Sequence, residues 1–248
     1  MKTPLRIAIL ECDTPPPAII DKYGKYGDIF TTLLETAAVD LGMDPKKDLV
    51  LSSFDVVTAQ EYPNLDDIDA VLISGSKYNS FDSDPWILKL VSFTQTLLAQ
   101  SRIRIIGVCF GHQILGRALG APVGRSEGGW EISVLPVELT AKGKELFGQD
   151  TLSIHQMHRD ALHTYPPSII PLGSSPACPT QGMYEPRRLL SIQGHPEFNA
   201  GIVSHLVRMR NEQGVFEDEM AREALGRVER AHDGVVVGRA FLRFLGEE

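Results

Sequence analysis

The sequence predicts an α/β fold of parallel strands joined by crossover helices, and three observations carry that prediction. Short β-rich apolar runs alternate with longer helical patterns through the first half of the chain. One of these runs, residues 103–108, stops at a glycine-flanked cysteine, and a helical pattern starts directly after it. The composition is that of a globular chain: 248 residues, 43% hydrophobic and 23% charged, enough to bury a substantial core.

In chain order, the first strand is expected at residues 7–10. A helix follows over 28–43, with Asp28 as its acidic cap candidate and Gly42 near its end. Residues 49–57 and 71–74 read as the second and third strands. Residues 85–100 read as a helix whose Pro85 takes the tolerated first-turn position. The strand at 103–108 then passes into a helix at 110–119. Beyond Gly120 come shorter extended runs at 130–137, 151–154 and 189–193, divided by turns such as Pro166-Pro167 and Cys178-Pro179. These extend the sheet or flank it. Helical patterns return at 201–211, 217–230 and 235–245. With no internal repeat, low-complexity tract or linker, the expectation is a single domain over 1–248, in which 214–248 forms a helical C-terminal extension with a solvated charged face.

Charge and cysteine usage exclude several classes of function. A net charge of −8 without a basic cluster opposes binding to nucleic acid. No apolar stretch approaches the roughly 20 residues that span a bilayer, so no membrane role is expected. The start of the chain runs straight into a strand pattern, without the apolar core and cleavage site of a secretory signal, so the expected location is cytoplasmic. Cys12, Cys109 and Cys178 form no C-x-x-C pair, which argues against disulfides and cysteine-built zinc sites. His155, His158 and His163 around Asp160 lack the H-E-x-x-H spacing, so no metal is expected. No P-loop or dinucleotide fingerprint surrounds Gly24, Gly27 or Gly75, so no cofactor is expected either.

What remains is the G-x-C-x-G segment Gly107-Val108-Cys109-Phe110-Gly111. Two glycines allow a sharp strand-to-helix reversal that leaves a thiol at the strand tip, beside helix N-terminal amides that favour thiolate. A nucleophile of this kind needs a base, and the base needs an orienting group. The run 189–193 ends at Gly194-His195-Pro196-Glu197, where His195 and Glu197 lie two positions apart and face one side in extended chain. His195 is therefore the candidate base and Glu197 its orienter, a Cys-His-Glu triad. Oxyanion donors are expected from the backbone of Phe110 and from Gly75 and Ser76, in the turn after the 71–74 strand.

These segments resemble class I glutamine amidotransferase domains. The elbow Gly107-Val108-Cys109-Phe110-Gly111-His112-Gln113 and the segment Gly194-His195-Pro196-Glu197 match the two signature segments of that family, in the same order. The resemblance implies a doubly wound, mainly parallel sheet of flavodoxin-like architecture, and a Cys109 thioester formed from a γ-glutamyl amide. It also implies that Gln113, Met157, His158 and Asp160 contact substrate, because Gln113 corresponds to the family's glutamine and Met157-His158-Arg159-Asp160 to its Ser-His-Gly-Asp segment. Two departures stand out: Ser74-Gly75-Ser76 replaces Pro-Gly-Gly, and Arg159 replaces a glycine. Asp13-Thr14-Pro15, Tyr23-Gly24-Lys25-Tyr26-Gly27-Asp28 and Gly75-Ser76-Lys77-Tyr78 resemble a stand-alone branch of the family that includes γ-glutamyl peptidases. Three readings are open: a glutaminase handing ammonia to a separate synthase or acceptor protein, a self-sufficient γ-glutamyl peptidase acting on glutathione-type compounds, and a noncatalytic binding domain of the same fold.

Overall fold

The protein is seen in a computed structural model that describes residues 4–247. Strand β1 (Leu5–Glu11) leads through helices α1 (Pro17–Tyr23), α2 (Tyr26–Asp40) and α3 (Pro45–Asp48) to strand β2 (Leu49–Asp55). Strand β3 (Ala70–Ile73), helix α4 (Pro85–Ala99), strand β4 (Arg104–Val108) and helix α5 (Phe110–Ala118) follow. The second half begins with β5 (Val123–Arg125), β6 (Glu131–Leu139), α6 (Ala141–Phe147), β7 (Thr151–His158) and β8 (Asp160–Leu162). It continues with β9 (Ile170–Pro171), β10 (Gly173–Ser174), β11 (Gly182–Glu185) and β12 (Leu189–Ile192), and closes with α7 (Ala200–Glu212), α8 (Asp218–Leu225) and α9 (Gly234–Leu245).

The main sheet has the order β2-β1-β3-β4-β12-β11-β9. Its first five strands are parallel, and β11 and β9 close it as antiparallel neighbours. Strands β3 and β12 are buried at every position, as expected for parallel strands covered on both faces. Phe30 and Leu34 of α2 pack with Phe241 and Phe244 of α9 on one face. Ile87 and Leu90 of α4 pack with Ile114 and Leu115 of α5 on the other. The sheet is therefore doubly wound. A third cluster, including Ile19, Phe198, Leu206, Phe216 and Ala224, joins α1, α7 and α8 beside the strand tips.

Several boundaries shift for identifiable reasons. Helix α2 begins before the expected Asp28, which instead sits three residues inside a capping box and accepts the Lys25 N–H at 2.8 Å. The helical pattern expected over 217–230 ends at Leu225, with Gly226 as its C-cap. α8 buries Ala221 and Ala224 and leaves most of its charged residues outside, whereas α9 sinks Val237, Phe241 and Phe244 into the main core. Among the described residues, no helix is long and apolar enough to cross a membrane.

Register decides where the chemistry collects. β3 pairs with β4 so that Ile73 faces Gly107, and β12 pairs with β4 so that Ile192 faces Val108. The segments after these three strands, starting at Ser74, Cys109 and Gln193, emerge together at the carboxyl edge, where open α/β sheets bind their ligands. The antiparallel β6–β7 pair reaches the same edge, with Glu131 opposite His158.

Candidate active site

Cys109 caps α5 in a conformation that L-residues seldom adopt, with φ 50° and ψ −101°. Its N–H donates to the Ile192 carbonyl at 2.9 Å, so the neighbouring strand fixes the elbow. The flanking glycines are required by contact. A Cβ at Gly107 would lie 2.7 Å from the Gly111 carbonyl oxygen, and one at Gly111 would lie 2.2 Å from the carbonyl oxygen of Ile73. The thiol is nearly enclosed, at 4% exposure for the residue.

His195 reaches it from the end of β12. Its backbone N–H donates to the His155 carbonyl at 2.7 Å, and its ring lies parallel to Phe198, with centroids 4.1 Å apart. Nδ1 meets Glu197 Oε1 at 2.8 Å, which leaves Nε2 unengaged, and His195 Cε1 and Cys109 Cβ both lie within 3.7 Å of the point a Cβ at Gly75 would occupy. Burial opposes the imidazolium, but the Cys109 sulfur and the Glu197 carboxylate outweigh it and push His195 up to about 10. The direction of this shift favours the imidazolium.

The turn after β3 closes the third side. A Cβ at Gly75 would fall 2.7 Å from His195 Cε1 and 3.7 Å from Cys109 Cβ, so the backbone approaches the imidazole as only glycine permits. The N–H groups of Gly75, Ser76 and Phe110 donate to no protein acceptor among the described residues. Asp13 holds the turn: it accepts the Lys77 N–H at 2.9 Å, pairs with Lys77 Nζ at 2.8 Å and accepts the Thr14 N–H at 2.7 Å. Ser74 Oγ accepts the Cys12 N–H at 2.9 Å and donates to the Gly75 carbonyl at 3.0 Å, tying β1 to the same turn.

A cavity of about 310 Å³ opens over Cys109, lined among others by Ser76, Gln113, Met157, His158, Arg159 and Asp160. The four residues expected to contact substrate therefore share one wall, although their polar atoms are largely engaged with one another. Gln113 accepts from Ser80 Oγ at 2.9 Å and donates to the Asp160 carbonyl at 2.8 Å and to Gln193 Oε1 at 3.1 Å. The Asp160 carboxylate pairs with Arg125 at 2.9 Å, and burial shifts its pKa upward. His158 meets Glu131 Oε2 at 3.1 Å. Glu131, His158 and Cys178 present ligand-type atoms within 4.8 Å of one another. Glu131 also accepts from Gln181 Nε2 at 2.7 Å, and burial pushes the Cys178 thiol up to about 11.

A second cavity, of about 620 Å³, lies on the His195 side and includes Asp13, Tyr26 and Phe198 in its walls. Arg210 borders both cavities. Sequence reasoning did not single out Arg210 for the site. Asp13 entered only as part of a branch motif, and its position directly after the first strand was the one available signal.

With this geometry, a family match has a definite meaning. The family model described as Glutamine amidotransferase class-I matches residues 23–208. The chain belongs to the class I glutamine amidotransferase family. A glutamine amidotransferase-like protein of Schizosaccharomyces pombe is 37% identical over 246 residues, covering 97% of this chain and 98% of that protein. Gamma-glutamyl peptidase 2 of Arabidopsis thaliana is 33% identical over 171 residues, covering 66% of this chain and 68% of that protein. A crystal structure of a glutamine amidotransferase from Thermotoga maritima superposes with a TM-score of 0.75 at 17% identity, covering 98% of this chain and 99% of that one, a likeness of fold. The class I glutamine amidotransferase match stops at residue 208, two residues short of Arg210.

Proposed function

We propose that this protein hydrolyses γ-glutamyl amides through a covalent glutamyl thioester on Cys109. One observation carries the reading: a buried Cys109, a His195 imidazole fixed by Glu197, and unengaged N–H groups of Gly75, Ser76 and Phe110 meet beside a cavity bordered by Cys109, Phe110 and three arginines. Family membership and the γ-glutamyl peptidase among its relatives supply the acyl group.

The sulfur attacks the γ-carbonyl carbon, and the carbonyl oxygen takes up negative charge facing the free N–H groups. As the tetrahedral centre collapses, the C–N bond breaks and the His195 Nε2 proton passes to the leaving nitrogen. The amine departs and the thioester remains. His195, now neutral, removes a proton from water as the water oxygen attacks the thioester. The C–S bond then breaks, glutamate leaves, and the sulfur again faces an imidazolium. Glu197 keeps Nδ1 engaged throughout, so the proton moves at Nε2 alone. A noncatalytic role is disfavoured because every group this sequence of steps requires is present. A glutaminase serving a separate synthase in the cytoplasm would use the same steps with ammonia as the leaving amine.

The test is glutamate release from glutamine and γ-glutamyl peptides, paired with intact-protein mass spectrometry. Wild type is expected to release glutamate and to carry a glutamyl adduct on Cys109. Cys109→Ala is expected to keep its circular dichroism spectrum and lose both. Equal release by the variant would overturn the covalent mechanism.

A further inference from the structure

The two cavities are not equivalent with respect to the reaction. Cys109 and Phe110 line the first, and His195 and Asp13 line the second, while Ser76, Lys77 and Arg210 belong to both. The acyl group stays on sulfur and the leaving nitrogen collects its proton from His195, so the second cavity is on the leaving-group side. It has twice the volume of the first, about 620 Å³ against about 310 Å³. Ammonia, comparable in size to a water whose share of liquid volume is about 30 Å³, would leave it almost empty. Its walls are apolar over Pro15, Pro16, Tyr26, Phe198, Leu206 and Met209.

One cation in this cavity lacks a counter-charge. The Arg210 guanidinium lies 5.6 Å from the Trp130 ring centroid and 5.7 Å from that of Phe216, so two aromatic faces hold it in place. Its Nη1 is buried and has no hydrogen-bond partner, and the side chain forms no ion pair among the described residues. A half-buried cation with an unpartnered Nη1 favours an anion that can meet it. Asp13 does not serve, because its carboxylate is committed to Lys77 and to the turn. Arg125 and Arg159 border only the first cavity, so the acyl side has cations of its own. The groups that act electrostatically on Arg210 are Tyr26, Cys109 and Asp13, and two of these line the leaving-group cavity.

Resting on the γ-glutamyl hydrolase reading above, we propose that Arg210 is a specificity-determining residue that binds a carboxylate on the leaving amine. The preferred substrates are then γ-glutamyl amino acids and peptides whose first leaving residue has an apolar side chain. The α-carboxylate of that residue, or the acid end of a short peptide, meets the guanidinium, and its side chain packs on the proline and aromatic wall. Glutamine lacks both features.

The test compares kcat/KM for γ-glutamylphenylalanine with that for γ-glutamylphenethylamide, which differs only by the missing carboxylate, in wild type, Arg210→Met and Arg210→Lys. In wild type the acid is expected to be preferred by about tenfold or more, mainly through KM. Arg210→Met is expected to bring the two substrates within about twofold of each other, and Arg210→Lys to keep part of the preference. Equal use of both substrates by wild type overturns the assignment, and this comparison does not depend on any variant folding. A preference that survives in Arg210→Met also overturns it. So does an equal loss on both substrates, which would place Arg210 on the glutamyl end. Failure of wild type to release glutamate from either compound or from glutamine would instead remove the hydrolase reading, and the role of Arg210 with it.

Discussion

At the scale of single residues, the site depends on close approaches that leave no slack. Cys109 holds an uncommon backbone conformation of the kind that costs about 1–3 kcal/mol, and the Ile192 carbonyl and the packing of α5 sustain it. Gly75 is equally constrained, because its missing Cβ is what lets the turn pass beside the imidazole. Gly75→Ala is expected to displace the His195 ring by a few tenths of an ångström or more and to lower kcat by about a hundredfold, with a much smaller change in thermal midpoint. Wild-type kcat in that variant would show that the turn does not position the ring. The charge on His195 gives a second check. Cys109 sulfur is the largest of the influences that raise the imidazole, so Cys109→Ala should move the His195 titration down from about 10, read from its Cε1 proton resonance. An unmoved titration would mean that Glu197 alone holds the proton.

At the scale of elements, the elbow joins β3, β4 and α5 into one rigid corner. A Cβ at Gly111 would meet backbone, not a movable side chain, at the Ile73 carbonyl. Gly111→Ala must therefore push α5 off β3, and it is expected to cost about 1–3 kcal/mol in denaturant unfolding. The corner was legible in the sequence because its glycines and its buried strands, apolar at nearly every position, follow directly from local sterics and two-sided burial. His195 and Glu197 were legible as a pair from their two-residue spacing, although the structure brings them together through a turn at Pro196-Glu197 and not through extended chain. Helices α1 and α6 were not legible: each has seven residues, too few for a helical period to show. Arg210 and Asp13 escaped for a different reason. Lys77 is 64 residues from Asp13, and only the β1–β3 pairing makes them neighbours. Trp130 meets Arg210 across the packing of α7 against the β6 end, which local pattern cannot express. Short-range sterics thus announced the elbow and its cysteine, while the groups that define the pocket beside it depend on tertiary contact.

At the scale of the whole molecule, buried histidines couple stability to pH. Burial holds His112 and His155 neutral, lowering each from 6.5 to about 3, with His158 acting further on His112 and His232 on His155. Below pH 6.5 the unfolded chain takes up protons at both positions, and the folded chain does not until about pH 3. Stability that is present above 6.5 therefore falls with acid, by up to about 1.4 kcal/mol per pH unit for each histidine. His195 adds no slope of its own to this balance: in the proposed thiolate–imidazolium pair the proton on the ring is the one the thiol has given up, so the pair binds no net proton relative to a neutral imidazole and a thiol. The two neutral histidines therefore set the acid limb, measured as the unfolding free energy across a pH series in urea. His112→Asn is expected to make that limb shallower by about one proton, and an unchanged slope would mean that burial does not hold His112 neutral in the folded chain.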